Sequence, residues 1–248
     1  MSKCILSIVT VTKNCASTLR RTLVSVQAVK QNAVEQSSIE YIVVDGMSSD
    51  GTLDLVKQFR NLVDRLVSEP DSGIYNAMNK GVRLARGSYV LFINGDDTLV
   101  AEGFPAVMCS MAKNKHEIIC ATTLVGEPTS PAETLVAKPW RLPFFNSIPH
   151  PSSFVRRELL LRSPFREDLR IVSDYDFFLG AYLAGQSFRV LPVVTALHQR
   201  GGASGDVQRS RAELEKVRRE RLGWRYPLMN GVVALYRQCK RVIGGRAA

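Results

Sequence analysis

Two periodicities alternate along the first hundred residues. Short runs rich in β-branched residues, at 4–11, 39–44, 65–68 and 89–93, read as strands. Between them apolar residues recur at helical spacing. Leu19, Leu23, Val26 and Val29 mark a helix over 17–30, a second helix over 52–59 follows the second strand, and Ile74, Ala77, Met78, Val82 and Ala85 form the apolar stripe of a third over 74–85. This β-α-β-α-β-α-β order predicts an α/β fold with a mostly parallel central sheet and helices on both faces. Such sheets bind ligands beyond the carboxyl ends of their strands.

The pattern loosens after residue 100. A helix near 104–111 leads to an apolar strand at 118–125, and a polar, proline-bearing stretch runs from 126 to 151. Helices are expected near 154–161 and 174–184, a strand at 188–194, and a Gly-rich loop at 200–205 with too few apolar groups to offset its ordering entropy. A charged helix over 208–222 and a second one opened by Pro227 complete the chain.

At 248 residues, 45% hydrophobic and 23% charged, the composition is that of a globular protein able to bury a core. The formal charge of +10 is unevenly placed. From Arg209 to Ala248 there are 11 Lys/Arg against 3 Asp/Glu, a net of +8. Five scattered cysteines with no CxxC pair suggest neither a disulfide framework nor a thiolate metal site, and fit a reducing cytosol. No apolar run approaches the roughly 20 residues of a membrane-spanning helix, and no signal-peptide pattern precedes the first strand. GxGxxG and GxxxxGK[ST] are both absent, which argues against dinucleotide and P-loop chemistry.

Three acidic clusters fall where the chemistry is expected. Asp45 follows the second strand and is placed to accept hydrogen bonds from a base or ribose, while Ser48 to Thr52 reads as turn and helix cap. Asp96 and Asp97 follow the fourth strand. Adjacent carboxylates repel unless a cation lies between them and an anionic ligand, so the pair suits Mg²⁺ or Mn²⁺ bridged to a diphosphate. Asp174 and Asp176 open a helix; Asp174 reads as a first-turn acid favoured by the helix dipole and equally as a general base held rigidly at a cleft. His198 reads as a metal ligand or as a partner of Arg200 in orienting a diphosphate.

Taken in order, SIVTVTKN, IVVDGMSSDGT, SEPDSGIYNAMNKG and VLFINGDD, followed by HPSSFVRREL and SDYDFFLGAYLAG, resemble the GT-A glycosyltransferases of family 2, especially bacterial enzymes of surface-polysaccharide biosynthesis. The resemblance implies a nucleotide-sugar-binding half over 1–100, an acceptor-binding half over 101–205, and a basic helical tail over 206–248. It places Thr10 and Asn14 in the nucleotide pocket, Asp45 on the base, and Asp71, Asp96 and Arg200 on the donor. Asp97 becomes the metal ligand, Asp174 the catalytic base and His150 an acceptor-side group; His198 is a further candidate metal ligand and Asp176 a further candidate on the acceptor side. Asn94 departs from the pattern, since many members carry an acid there. The implied reaction is inverting transfer from a nucleotide diphosphate-sugar, a UDP-sugar favoured, to a hydroxyl of a glycan or lipid-linked acceptor, with a divalent cation. The basic tail suits an anionic membrane surface on the cytoplasmic side. Nucleic acid is not expected, because the acidic strand ends repel phosphates and the tail lacks interleaved aromatics.

Overall fold

The computed structural model describes residues 4–33, 38–127, 130–199 and 206–244, with the backbone alone at 127, 130–132, 237 and 239–244. Arg200 and the Gly-rich stretch at 200–205 lie outside the described residues.

Four parallel strands form the first half: β1 (Leu6–Thr12), β2 (Ile39–Asp45), β3 (Arg65–Ser68) and β4 (Tyr89–Asn94). They are joined by helices α1 (Leu19–Gln31), α2 (Thr52–Gln58) and α3 (Ile74–Leu84), as the periodicity predicts. The two-residue period of a strand sends neighbouring side chains to opposite faces. Val9 and Val11 of β1 and Val90 and Phe92 of β4 therefore pack with Met78 and Val82 of α3 in one apolar cluster. Leu6, Ile8, Leu91 and Ile93 pack with Leu19, Leu23 and Val26 of α1 in another. Both faces of these strands are covered, so they read as continuous apolar runs. Gly81 lets α3 lie close on β1: a Cβ there would fall 2.4 Å from Val9 Cγ1.

The second half is mixed. It comprises β5 (Thr98–Leu99), α4 (Phe104–Ala112), β6 (Ile118–Glu127), β7 (Ser130–Val136), β8 (Ser153–Arg156), α5 (Arg157–Arg162), α6 (Ser173–Leu183) and β9 (Phe188–His198). The sheet order is β3-β2-β1-β4-β8-β6-β9-β5, with β7 on β6. The stretch expected to be helical over 154–161 is instead an antiparallel strand, β8, followed by the short α5. β8 lies between β4 and β6 and bonds to both. The polar stretch at 126–151 contains an unforeseen strand, β7, antiparallel to β6.

The basic tail is not detached from the body. Its helices α7 (Val207–Leu222) and α8 (Tyr226–Gly244) bury Val217, Leu222 and Val233. No described helix is long and apolar enough to cross a membrane. Arg221 of α7 clasps Asp176 of α6 through two charge-assisted bonds of 2.8 and 2.6 Å. Asp176 is thus buried in the α6–α7 joint and does not line the cleft, which corrects its expected acceptor-side place. A carboxylate facing inward on a helix needs a cation, and the tail supplies it.

Candidate active site

The carboxyl ends of β1 and β4 open into a cleft of about 1630 Å³. That exceeds the usual few hundred to 1,000 Å³ of a small-molecule site and has room for two substrates side by side. Its lining brings together Asn14, Asp71, Asp96, His150, Asp174 and His198, residues drawn from six separate segments of chain.

The floor is a set of loops stitched to one another. Asn14 adopts a left-handed conformation (φ 52°), common for Asn. Its Oδ1 accepts from Ser49 N at 2.9 Å, and its own N–H donates to Ser48 Oγ at 2.8 Å. Asp50 accepts from the backbone of Ala16 and Thr52, so Ser48 to Thr52 does serve as a turn that binds the first loop to the second. Asp45 sits at the end of β2 as expected but is fully buried. It accepts from Ser48 N at 3.0 Å, from the Ser48 hydroxyl and from Ser68 Oγ at 2.7 Å. Thr10 is a mid-strand residue whose hydroxyl accepts from Tyr41 at 3.0 Å. Neither Thr10 nor Asp45 lines the cleft; Thr12, Lys13 and Asn14 do. Asp71 lines it, with Oδ1 accepting from Gly73 N at 3.0 Å.

The Asn94–Asp97 turn is held from beneath by two hydroxyls, from Thr18 just ahead of α1 and Thr22 within it. Thr18 donates to Gly95 O at 2.7 Å and Thr22 to Asp97 O at 2.6 Å. Asp96 faces the cleft, and burial together with the neighbouring Asp97 charge raises its pKa above the usual carboxylate value. Asp97 is fully buried behind it. Its Oδ1 lies 2.7 Å from His198 Nδ1 and accepts from Gln199 N at 3.2 Å, while its buried Oδ2 has no partner. The hydrogen bond to Asp97 raises the His198 pKa against the opposing effect of burial.

The chemistry of this pair suits a divalent cation through one atom: beside the Asp97 Oδ1–His198 Nδ1 hydrogen bond stands Asp97 Oδ2, a buried carboxylate oxygen without a partner. Among the described residues no three His, Cys, Asp or Glu side chains group to hold an ion unaided. Mg²⁺ and Mn²⁺ sites that use one or two protein ligands complete their octahedra with water and substrate phosphate.

Elsewhere in the cleft, Asp174 occupies the first turn of α6. The Tyr75 hydroxyl lies 3.1 Å from Asp174 Oδ1 and 2.7 Å from Ile171 O. Burial and the Asp174 charge keep that phenol protonated, with a pKa well above 10. His150 stacks on Phe92 at 5.8 Å and 17°, its Nε2 buried without a partner. Burial lowers its pKa despite the Asp174 and Asp97 charges, so it stands neutral.

One residue that the sequence reading missed braces the segment ahead of Asp174. Glu213 of α7 accepts from the backbone N–H groups of Arg170, Ile171 and Val172 at 2.9 to 3.3 Å, fixing the segment that leads into α6. Burial opposes its ionisation, yet these N–H groups and Arg209 hold its pKa below the usual value. The only sequence signal was an acid among basic residues on an amphipathic helix. If Glu213 positions Asp174, Glu213→Ala lowers turnover by about 10- to 100-fold with nucleotide affinity unchanged, and Glu213→Gln, which keeps an acceptor, restores most of it. Steady-state kinetics check this; an unchanged turnover in Glu213→Ala would remove the role.

The comparisons agree with this geometry. The Glycosyl transferase family 2 profile matches residues 7–159. A PGL/p-HBAD biosynthesis glycosyltransferase of Mycobacterium bovis (strain BCG / Pasteur 1173P2) is 31% identical over 177 residues, covering 68% of each chain. A chondroitin synthase of Pasteurella multocida is 27% identical over 67% of this chain and 18% of its own. The fold matches residues 1–349 of S. aureus TarS in complex with UDP-GlcNAc, at TM-score 0.73 and 17% identity, over 96% of this chain and 73% of that one. It also matches the mannosyltransferase PcManGT of Pyrobaculum calidifontis in complex with GDP-Man and Mn²⁺, at TM-score 0.69 and 20% identity, over 93% and 69%. With Asp71, Asp96 and Asp174 at one cleft of a GT-A sheet and a profile spanning more than half of its length, the chain belongs to glycosyltransferase family 2.

Proposed function

We propose that this glycosyltransferase takes a sugar from a nucleoside diphosphate donor, a UDP-sugar by preference, and places it with inversion on a hydroxyl of a glycan or lipid-linked acceptor. The observation that carries the reading is the shared cleft, which holds the Asp96 and His198 side chains, with Asp97 behind them, together with Asp174. Fold neighbours in complex with UDP-GlcNAc and with GDP-Man support a nucleotide-sugar donor.

In this account Asn14 and Lys13 contact the nucleotide, Asp71 and Asp96 the ribose and donor sugar, and Asp97 with His198 holds Mn²⁺ or Mg²⁺. The bound cation supplies charge neutralisation on the leaving diphosphate. Asp174, oriented by Tyr75, takes the proton from the acceptor hydroxyl as its oxygen attacks the anomeric carbon. One displacement inverts that carbon. Neutral His150, with a free Nε2, accepts a hydrogen bond from the acceptor. Arg200 keeps its assignment to the diphosphate as a proposal.

Membrane association is proposed for α8. Leu228, Val232 and Leu235 share one exposed face, with Trp224 one turn ahead at 82% exposure, and α8 carries Arg237, Lys240 and Arg241 with no acid. An apolar face flanked by basic residues suits an anionic cytoplasmic leaflet. The functional reading is tested by screening sugar nucleotides for Mn²⁺-dependent hydrolysis or transfer. Turnover of at least one UDP-sugar, abolished by EDTA, is expected. Silence across UDP-, GDP- and dTDP-sugars, with no nucleotide binding by calorimetry, would overturn it.

A further inference from the structure

One stretch of the cleft wall takes no part in the roles above. Tyr236 of α8 meets Phe145 edge-on, ring centroids 5.4 Å apart at 61°. The Arg141 guanidinium carbon lies 5.0 Å from the Phe145 centroid and 5.8 Å from those of Tyr236 and Trp140. Lys138, Arg141, Phe145 and Tyr236 line the cleft, and Trp140 stands beside them at 64% exposure. Neither Arg141 nor Lys138 has a carboxylate partner among the described residues, and nearby Glu133 has an interaction of its own.

This arrangement does little for the fold. Trp140 and Tyr236 leave much of their ring surface in water, where burial elsewhere would stabilise more. A guanidinium that lies against aromatic rings uses its π face and leaves its in-plane N–H fork open, the geometry that receives a carboxylate or phosphate bidentately. The exposed ring faces offer flat apolar surface to the C–H side of a sugar. Continuity with the Asp174 cleft places whatever binds there within the acceptor region of the proposed reaction.

We propose that Lys138, Trp140, Arg141, Phe145 and Tyr236 form an acceptor subsite selective for an acidic sugar, its ring on the aromatic faces and its anionic group on Arg141 and Lys138. The inference rests on the transferase reading for the word acceptor. It also makes α8 part of the active site, since Tyr236 comes from the tail.

The chain has two tryptophans, so Trp224→Phe leaves Trp140 as the sole indole reporter. In that background, phenyl β-D-glucuronide is expected to change Trp140 emission at concentrations on the order of tenfold lower than phenyl β-D-glucoside, which differs by the carboxylate alone. Arg141→Ala should abolish the preference, and Tyr236→Ala should weaken both ligands alike. Inorganic phosphate alone should compete only weakly, because it lacks the ring. Equal affinities, a preference that survives Arg141→Ala, or no Trp140 response to either glycoside would overturn the subsite. Calorimetric titration with UDP and Mn²⁺ runs in parallel: intact binding shows that Arg141→Ala is folded, and failure of UDP to bind the parent protein counts against the transferase reading and not against the sugar preference.

Discussion

Asp174→Asn is expected to lower turnover by about 10²–10⁴ while leaving nucleotide binding intact. The asparagine keeps the size of the side chain and the oxygen that faces the Tyr75 hydroxyl, so the first turn of α6 retains its shape. What disappears is the capacity to accept a proton from the acceptor hydroxyl. Tyr75 stays protonated well above neutral pH, so the phenol beside the lost carboxylate does not take over as base. Steady-state transfer measured beside UDP calorimetry separates the two effects. A variant with near-native turnover would remove Asp174 from the role, and one that loses nucleotide affinity equally would make it a structural acid.

The second large effect is expected at Asp97. Asp97→Asn preserves an oxygen opposite His198 and Gln199 but removes the charge from a fully buried site whose other oxygen has no partner. If the carboxylate holds a cation worth several kcal/mol to the diphosphate, Mn²⁺-dependent UDP affinity falls by about 10²–10³, and transfer falls at least as far. A thermal midpoint within a few degrees of the parent protein would show that the fold is intact. Unchanged Mn²⁺ dependence in this variant would mean that Asp97 only orients His198.

Much of this was legible in the sequence, and the reasons are physical. Strands β1, β2 and β4 are covered on both faces, so their apolar runs were unbroken, and the acidic clusters at Asp45 and at Asp96–Asp97 came at the ends of two of them. That spacing placed Asp96 and Asp97 near the carboxyl edge without any knowledge of contacts, whereas Asp174, in the first turn of a helix, was assigned through the family resemblance. The misses lie where tertiary context decides. Thr10 and Asp45 have the right chain position, yet the Tyr41, Ser48 and Ser68 hydroxyls that bury them come from other strands and loops. Phe154 and Val155 stand before the helical Leu159 and Leu160, so a strand and a helix ran together into one apparent helix. The strand β7 opens on Ser130 and Pro131 within a proline-bearing stretch and pairs only with the Thr122–Glu127 half of β6.

The tail misled for a related reason. Glu213 and Arg221 looked like ordinary members of a solvated charged helix, but one accepts the backbone ahead of Asp174 and the other neutralises Asp176. Charge pattern alone does not reveal which residues on a helix meet buried partners. The result is a tail that reaches the cleft through Tyr236, fixes the segment ahead of Asp174 through Glu213, and is proposed to meet a membrane through Leu228, Val232 and Leu235 of α8.

The account depends most on whether one cleft brings a cation-held diphosphate to Asp174. Crystals grown with UDP and Mn²⁺, measured at the manganese edge, test this directly. The expected result is an anomalous peak about 2.1 Å from Asp97 or His198, bonded to the diphosphate, with the Asp174 carboxylate facing the same cavity. A peak and a nucleotide elsewhere on the molecule, or a diphosphate in the cleft with Asp174 directed away from it, would contradict the account.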